Sequence, residues 1–391
     1  MKKFFASVVL FLVCASVVAQ TEESSHQESS YQEKLDYIYS IRLNDINEAK
    51  RQLAELAQEL NNLSKPQRTQ FYNLRAHSEL IRGNIQESLG YSRKAESLAN
   101  KYDFVARAKS LQVVALASSG NYQKSFIELY EILDRIDEIE SAELKQSILQ
   151  NALSQHTNAG IFDKSQELIR MILAQAKRNN SDYYNCFGFL ELALLNLTLG
   201  NHKQVQFDID SATTECRKAQ NNMAYLTLDV YRAKLSNETG KTAEAKRIYE
   251  QQYPKLKTFG WKSMLVDAQI AMAEIYLELK ELEKIEPLAL AAYNYAKEVN
   301  NIREVRDSSL VLSQYFTEIK DDDKAGFYKN KYLEAANELN TQLQKKRIAY
   351  YQAMNYRAVK KQSEKEEDLV NLESEKKNNL PVRGEFKSPH P

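Results

Sequence analysis

Few residues in this chain can interrupt a helix. Its 391 residues include only 10 glycines and 6 prolines, which excludes a turn-rich β architecture and a disordered low-complexity polymer. Three cysteines, Cys14, Cys186 and Cys216, exclude a disulfide-dense scaffold. The charge has no excess of either sign, with 53 Lys and Arg against 53 Asp and Glu interleaved along the chain, so there is no basic face of the kind that binds nucleic acid. Histidines are few and scattered: His26, His77, His156, His202 and His390. None stands at a metal-ligand spacing from another His or Cys. No nucleophile elbow, phosphate loop or zinc signature is present, so the chain reads as non-catalytic and cofactor-free.

Beyond Met1–Ala19, long apolar runs are also missing. That first stretch has two lysines, an uncharged run from Phe4 to Val13 and small residues up to Ala19. It reads as a cleavable secretory signal peptide, shorter than the roughly 20 apolar residues of a membrane span. Val13 before Cys14 departs from the small residue favoured at a lipoprotein processing site. The expected product is exported, in a bacterial periplasm or beyond, with no membrane span once the signal is removed. Residues 20–30 read as a polar linker.

What the chain has in abundance is Ala, Leu, Glu, Lys and Gln, strong helix formers that imply an all-α fold. A turn signal recurs at Gly83, Gly120, Gly160, Gly200 and Gly240 and continues at Lys280 and Lys320, every 40 residues after a first interval of 37. Asn44 stands 39 residues before Gly83. Such a period marks stacked repeats. Five residues after each turn comes a column of mostly small or aliphatic side chains, Ala49, Ser88, Ser125, Ser165, Val205, Ala245, Ile285 and Ala325. Seven before it come Tyr37, Ala76, Val113, Leu153, Ala193, Ala233, Ala273 and Ser313. Small residues at both places let paired helices approach closely. A second punctuation falls twenty residues after the turn, at Ser64, Asn180, Gly260, Asn300 and Asn340, with Asn221 one place late; Ser64 and Gln67 form a capping-box start. Each unit is thus an antiparallel helical hairpin. Pro254 and Pro287 should each mark a kink or a shifted helix end.

These residues, above all Leu116–Ser125 and Leu197–Asn201 around their Gly-Asn turns, resemble the tetratricopeptide repeat family over about residues 32–340. The unit is 40 residues against that family's 34, and the closing proline is missing. The resemblance implies a right-handed superhelical solenoid of about eight hairpins, spanning 31–340, that binds a protein or peptide on its concave face. The family's register places Phe187, Leu190, Leu194 and Leu197 there, with Gln150 and Ser154 before them and Val230, Lys234 and Asn237 after. The alternative is that the longer repeat turns this apolar stripe into the core.

Measured from Gly200, Cys186 and Cys216 stand at one level of a hairpin, either bridged or as two buried thiols. Residues 341–380 read as a charged helix: a coiled-coil stalk pairing two copies, or a cap that folds back over the repeats. Residues 381–391 read as a disordered tail. Within them, Arg383-Gly384-Glu385-Phe386 superficially resembles the GGDEF signature of diguanylate cyclases but lacks the domain that motif needs. The overall order resembles the extracytoplasmic sensor half of bacterial receptors with a GGDEF cyclase or histidine kinase output. The expected role is partner binding in sensing or signalling; the alternatives are a truncated or split sensor half and an envelope assembly scaffold.

Overall fold

The computed structural model describes residues 29–42, 45–259 and 262–378, and these form sixteen α-helices with no strand among the described residues. They pair as eight hairpins. The first four are α1 (29–41) with α2 (Ile46–Gln58), α3 (Lys65–Ile81) with α4 (Ile85–Leu98), α5 (Tyr102–Ser118) with α6 (Tyr122–Leu133), and α7 (Ala142–Asn158) with α8 (Phe162–Arg178). The next four are α9 (Asp182–Thr198) with α10 (His202–Lys218), α11 (Asn222–Glu238) with α12 (Thr242–Phe259), α13 (Lys262–Glu278) with α14 (Ile285–Glu298), and α15 (Ile302–Glu318) with α16 (Asp322–Asn378). The all-α repeat solenoid expected from the period is the fold observed. The proposed signal peptide, most of the linker, Asn44, Gly260 and the tail with Arg383–Phe386 lie outside the described residues.

The turn signals act through backbone conformation. Gly120 has φ +79°, and Lys280 and Lys320 adopt the same left-handed geometry at +60° and +63° despite carrying side chains. Between hairpins the left-handed residues are Asn180, Gln220 and Asn300. Asn221 stands one place late because it caps a helix: its side chain accepts from the Ala224 amide at the start of α11. Ser181 and Asn301 cap α9 and α15 in the same way, and Ser64 with Gln67 forms the capping box that opens α3.

The two small-residue columns face each other inside each hairpin. The Ser88 hydroxyl donates to the Ala76 carbonyl at 2.8 Å, Ser125 to Val113 at 2.7 Å, and Ser313 to Ala325 at 3.0 Å. Each bond satisfies a buried hydroxyl between helices too close for a larger side chain. Tyr37 departs from its column and is 50% exposed. A phenol ring is too large for that position, and α1 instead buries Leu35 and Ile38.

At the helix ends one expectation is met and two change. Pro287 lies in the first turn of α14, which starts late after a 3₁₀ turn at Leu282–Lys284; there the missing amide costs no helical bond. Pro254 ends nothing, because α12 continues through it with Tyr249, Gln252 and Leu256 buried on either side. Asn340 likewise closes no helix. α16 runs through it as one helix of 57 residues, about 86 Å long.

That helix decides the shape of the inner face. Its first turns pack on α15, with the Tyr328 ring stacked on Phe316 at 5.6 Å. It then crosses to α6, where Tyr350 and Ala353 join a core with Phe126, Ile148 and Leu195. Arg347 donates to the Ala159 carbonyl, and Arg357 and Lys361 pair with Asp134 while Lys360 pairs with Glu131. The fold-back arrangement is therefore the one present over residues 347–361, and this face is occupied within the chain. Beyond it, Leu369 and Val370 are exposed. Among the described residues, no helix is long and apolar enough to cross a membrane.

Candidate functional site

Where α16 spans the inner face it leaves a chamber of about 870 Å³. One wall comes from α7, α8 and α9, through Leu153, Phe162, Ile169, Leu194 and Leu195. The other comes from α15 and α16, through Arg303, Arg306, Asp307, Tyr332, Leu339 and Lys346. The first wall is largely apolar and the second carries charge. A cavity of this size with an apolar body and a few converging polar groups is the usual form of a ligand site.

Its charges are unevenly paired. Arg306 is held by Asp307, its Nε donating at 2.6 Å. Glu191 and Lys346, in contrast, have no ion-pair partner among the described residues. Burial pushes the Glu191 carboxyl up to about 7. Burial and the nearby Arg303 push the Lys346 ammonium down. Deeper in the same superhelix, Glu274 is also pushed up to about 7, by burial and the Asp307 charge, against the pull of Lys234 and Arg306. The inner face thus holds carboxyls poised to ionise near neutrality and cationic groups able to receive an anion.

The residues expected on the concave face divide between chamber and core. Leu194 lines the chamber. Leu197 and Val230 are corrected to the core: both are buried, Leu197 beside the two cysteines and Val230 in the next cluster. Phe187 is half-buried against the core of Phe126, Ile148 and Leu195, and Leu190 against the cluster of Leu197; Gln150, Lys234 and Asn237 are half-buried while Ser154 is exposed. The 40-residue unit has turned α9 so that Glu191, Leu194, Leu195 and Thr198 face inward. Arg303, Arg306, Tyr332 and Lys346 were missed because they reach the chamber only once α16 has crossed it. The sole sequence hint was the unusual length of the charged helix.

Cys186 and Cys216 are joined by a disulfide with an S–S distance of 2.05 Å and Cα atoms 4.4 Å apart. It fastens α9 to α10 behind the chamber wall, among Ala193, Val205 and Ala212. Among the described residues no group of His, Cys, Asp and Glu is arranged to hold a metal ion.

No family model matches the sequence, and no curated protein is similar to it. Solved structures do resemble it in fold. The apo form of the quorum sensor NprR from B. thuringiensis aligns over 83% of this chain and 94% of its own, with a TM-score of 0.61 at 14% identity. NprR in complex with its cognate peptide NprX aligns over 88% of this chain and 95% of its own, with a TM-score of 0.50 at 16% identity. A signal transduction ATPase with a tetratricopeptide repeat sensor from Pyrococcus horikoshii aligns over 82% of this chain and 50% of its own, with a TM-score of 0.61 at 15% identity. In fold, the chain is a tetratricopeptide-type helical solenoid.

Proposed function

We propose that this protein is an exported, non-catalytic binding module that takes a peptide, or an extended segment of a partner protein, into the chamber between α9 and α16. The observation that carries this reading is the chamber itself, with an apolar wall around Leu194 and Leu195 opposite Arg303 and Lys346, and with Glu191 unpaired among the described residues. A peptide supplies what those walls can receive: apolar side chains for the first, and main-chain donors and acceptors with charge of either sign for the second. The likeness to NprR, which has been crystallised with a cognate peptide, agrees with this. Export rests on the residues of Met1–Ala19 and signalling on the resemblance in layout.

Leu194→Glu tests the site, with partners captured by the immobilised wild-type protein from a periplasmic extract and identified as peptides. Binding lost by a variant that keeps its helical content and melting behaviour supports the chamber. Binding retained by such a variant overturns it. Amino-terminal sequencing of the mature protein tests export, and an intact Met1 in the purified product would overturn that part.

A further inference from the structure

A second cavity, of about 280 Å³, lies at the other end of the solenoid. Four helices build it. α1 and the residue after it supply Asp36, Tyr39 and Arg42, and α3 supplies Gln70, Asn73 and His77 at helical spacing. α5 supplies Phe104, Arg107 and Leu111, and α7 supplies Glu143.

Part of this polar set is satisfied internally. The Tyr39 hydroxyl donates to Glu143 at 2.6 Å, Arg42 stands 3.9 Å from the same carboxylate, and Arg42 also donates to the Tyr39 carbonyl. Of the remainder, three groups bear on a ligand: two charges without a counter-ion among the described residues and one buried amide. Arg107 meets only the Tyr39 hydroxyl, at 3.4 Å, and the Tyr39 ring face; no carboxylate pairs with it among the described residues. Asp36 accepts from two neutral amides, Gln32 at 2.9 Å and Gln70 at 3.1 Å, and meets no cation among the described residues. Asn73, only 3% exposed in the cavity floor, has neither its amide nitrogen nor its amide oxygen hydrogen-bonded among the described residues. A buried amide left so costs about 1–3 kcal/mol, which a bound partner would recover.

An unpaired cation, an unpaired anion and an amide offering both donor and acceptor are complementary to a small zwitterion. We propose that this cavity binds a free α-amino acid, its carboxylate on Arg107, its ammonium at Asp36 and its polar head over Asn73. Arg107 can take the carboxylate through two parallel N–H donors. Phe104, Leu74 and Leu111 surround the remaining space, so the side chain selected is apolar or aromatic. The volume fits one residue and not an extended peptide, and a peptide bond on either side would remove one of the two charges the site reads. This site is independent of the chamber between α9 and α16.

His77 gives the readout. Burial, with Arg42 and Arg107 nearby, pushes its imidazole down to about 4. A carboxylate placed on Arg107 offsets part of that positive field, so occupancy raises the His77 pKa, while Asp36 and Glu143 add the same negative charge with and without ligand. Free phenylalanine and leucine are titrated into the full mature chain up to about 10 mM by calorimetry, and His77 is followed by NMR. The same is done with N-acetyl and carboxamide derivatives. The expected result is saturable binding of the free amino acids, an upward shift of the His77 pKa, and at least about tenfold weaker binding of both derivatives. Arg107→Gln and Asp36→Asn should each weaken binding by a similar factor with unchanged melting, whereas Leu194→Glu should leave it intact. Absence of saturable binding by both free amino acids, or equal binding of the blocked derivatives, overturns the proposal.

Discussion

The Tyr350 ring stands edge-on to the His156 imidazole with centroids 5.6 Å apart, joining the last helix to the fourth hairpin. His156 is fully buried; its Nδ1–H donates to the Ala152 carbonyl at 2.7 Å, leaving Nε2 to accept from Tyr130 at 3.0 Å. Phe126 meets both rings, at 5.4 Å from each. This aromatic seat, with the surrounding ion pairs, holds α16 across the inner face and gives the chamber its second wall.

Aromatic burial should outweigh charge in that docking. Tyr350→Ala is expected to cost about 3 kcal/mol, the usual loss for a large buried ring, and to expose residues 347–378 to protease. Arg357→Ala should cost less than about 1 kcal/mol, because both members of its pair with Asp134 are about one-third exposed. Urea denaturation with limited proteolysis checks both, and a larger loss for Arg357→Ala would reverse the order.

Gly160 ties the fourth turn to the same helix. Its φ is +67°, and a Cβ there would stand 2.7 Å from the Arg347 guanidinium, whereas at Gly120 the space is open. Gly120→Ala should cost about 1 kcal/mol for the backbone alone. Gly160→Ala should cost more and loosen α16, visible as faster amide exchange near Arg347.

The disulfide closes a loop with a sequence separation of 30. Replacing both Cys186 and Cys216 by serine should lower stability by about 3–4 kcal/mol on the chain-entropy account. The melting temperature of the oxidised wild type should fall toward that of the variant when reductant is added. A wild type indifferent to reductant, with two titratable thiols, would contradict the bridge.

Glu191 makes stability depend on pH with a definite sign. Its folded pKa of about 7 lies above the ordinary value of 4.5, so the native chain holds more protons between those pH values and loses stability as pH rises through them. Glu191→Gln should therefore stabilise the protein by about 2 kcal/mol at pH 8, a value reduced for water in the chamber, and have little effect at about pH 4.5. Thermal melts across that range check it; equal effects at both ends would mean that Glu191 is solvated like a surface carboxylate.

The register of the repeats was legible because it is written in local rules. Gly120 needs a left-handed backbone, Ser125 needs a close carbonyl, and Asn221 caps the helix that follows it; each involves residues within one hairpin or its neighbour. Leu197 and Val230 were misplaced for the converse reason. A 40-residue unit and a 34-residue unit have the same turn chemistry but rotate their first helices differently, and the apolar character of a side chain does not say which neighbour covers it.

Residue order alone was enough to specify an all-α stack of hairpins, the places of its turns, and the level at which Cys186 and Cys216 stand. The folded chain was needed to learn that α16 crosses to α6, that Arg303 and Lys346 face Leu194 across a chamber, and that Arg107, Asp36 and Asn73 share one cavity. Repeat proteins encode nearest-neighbour contacts within each unit, whereas the meeting of distant helices depends on the small twist added at every hairpin and summed along the chain.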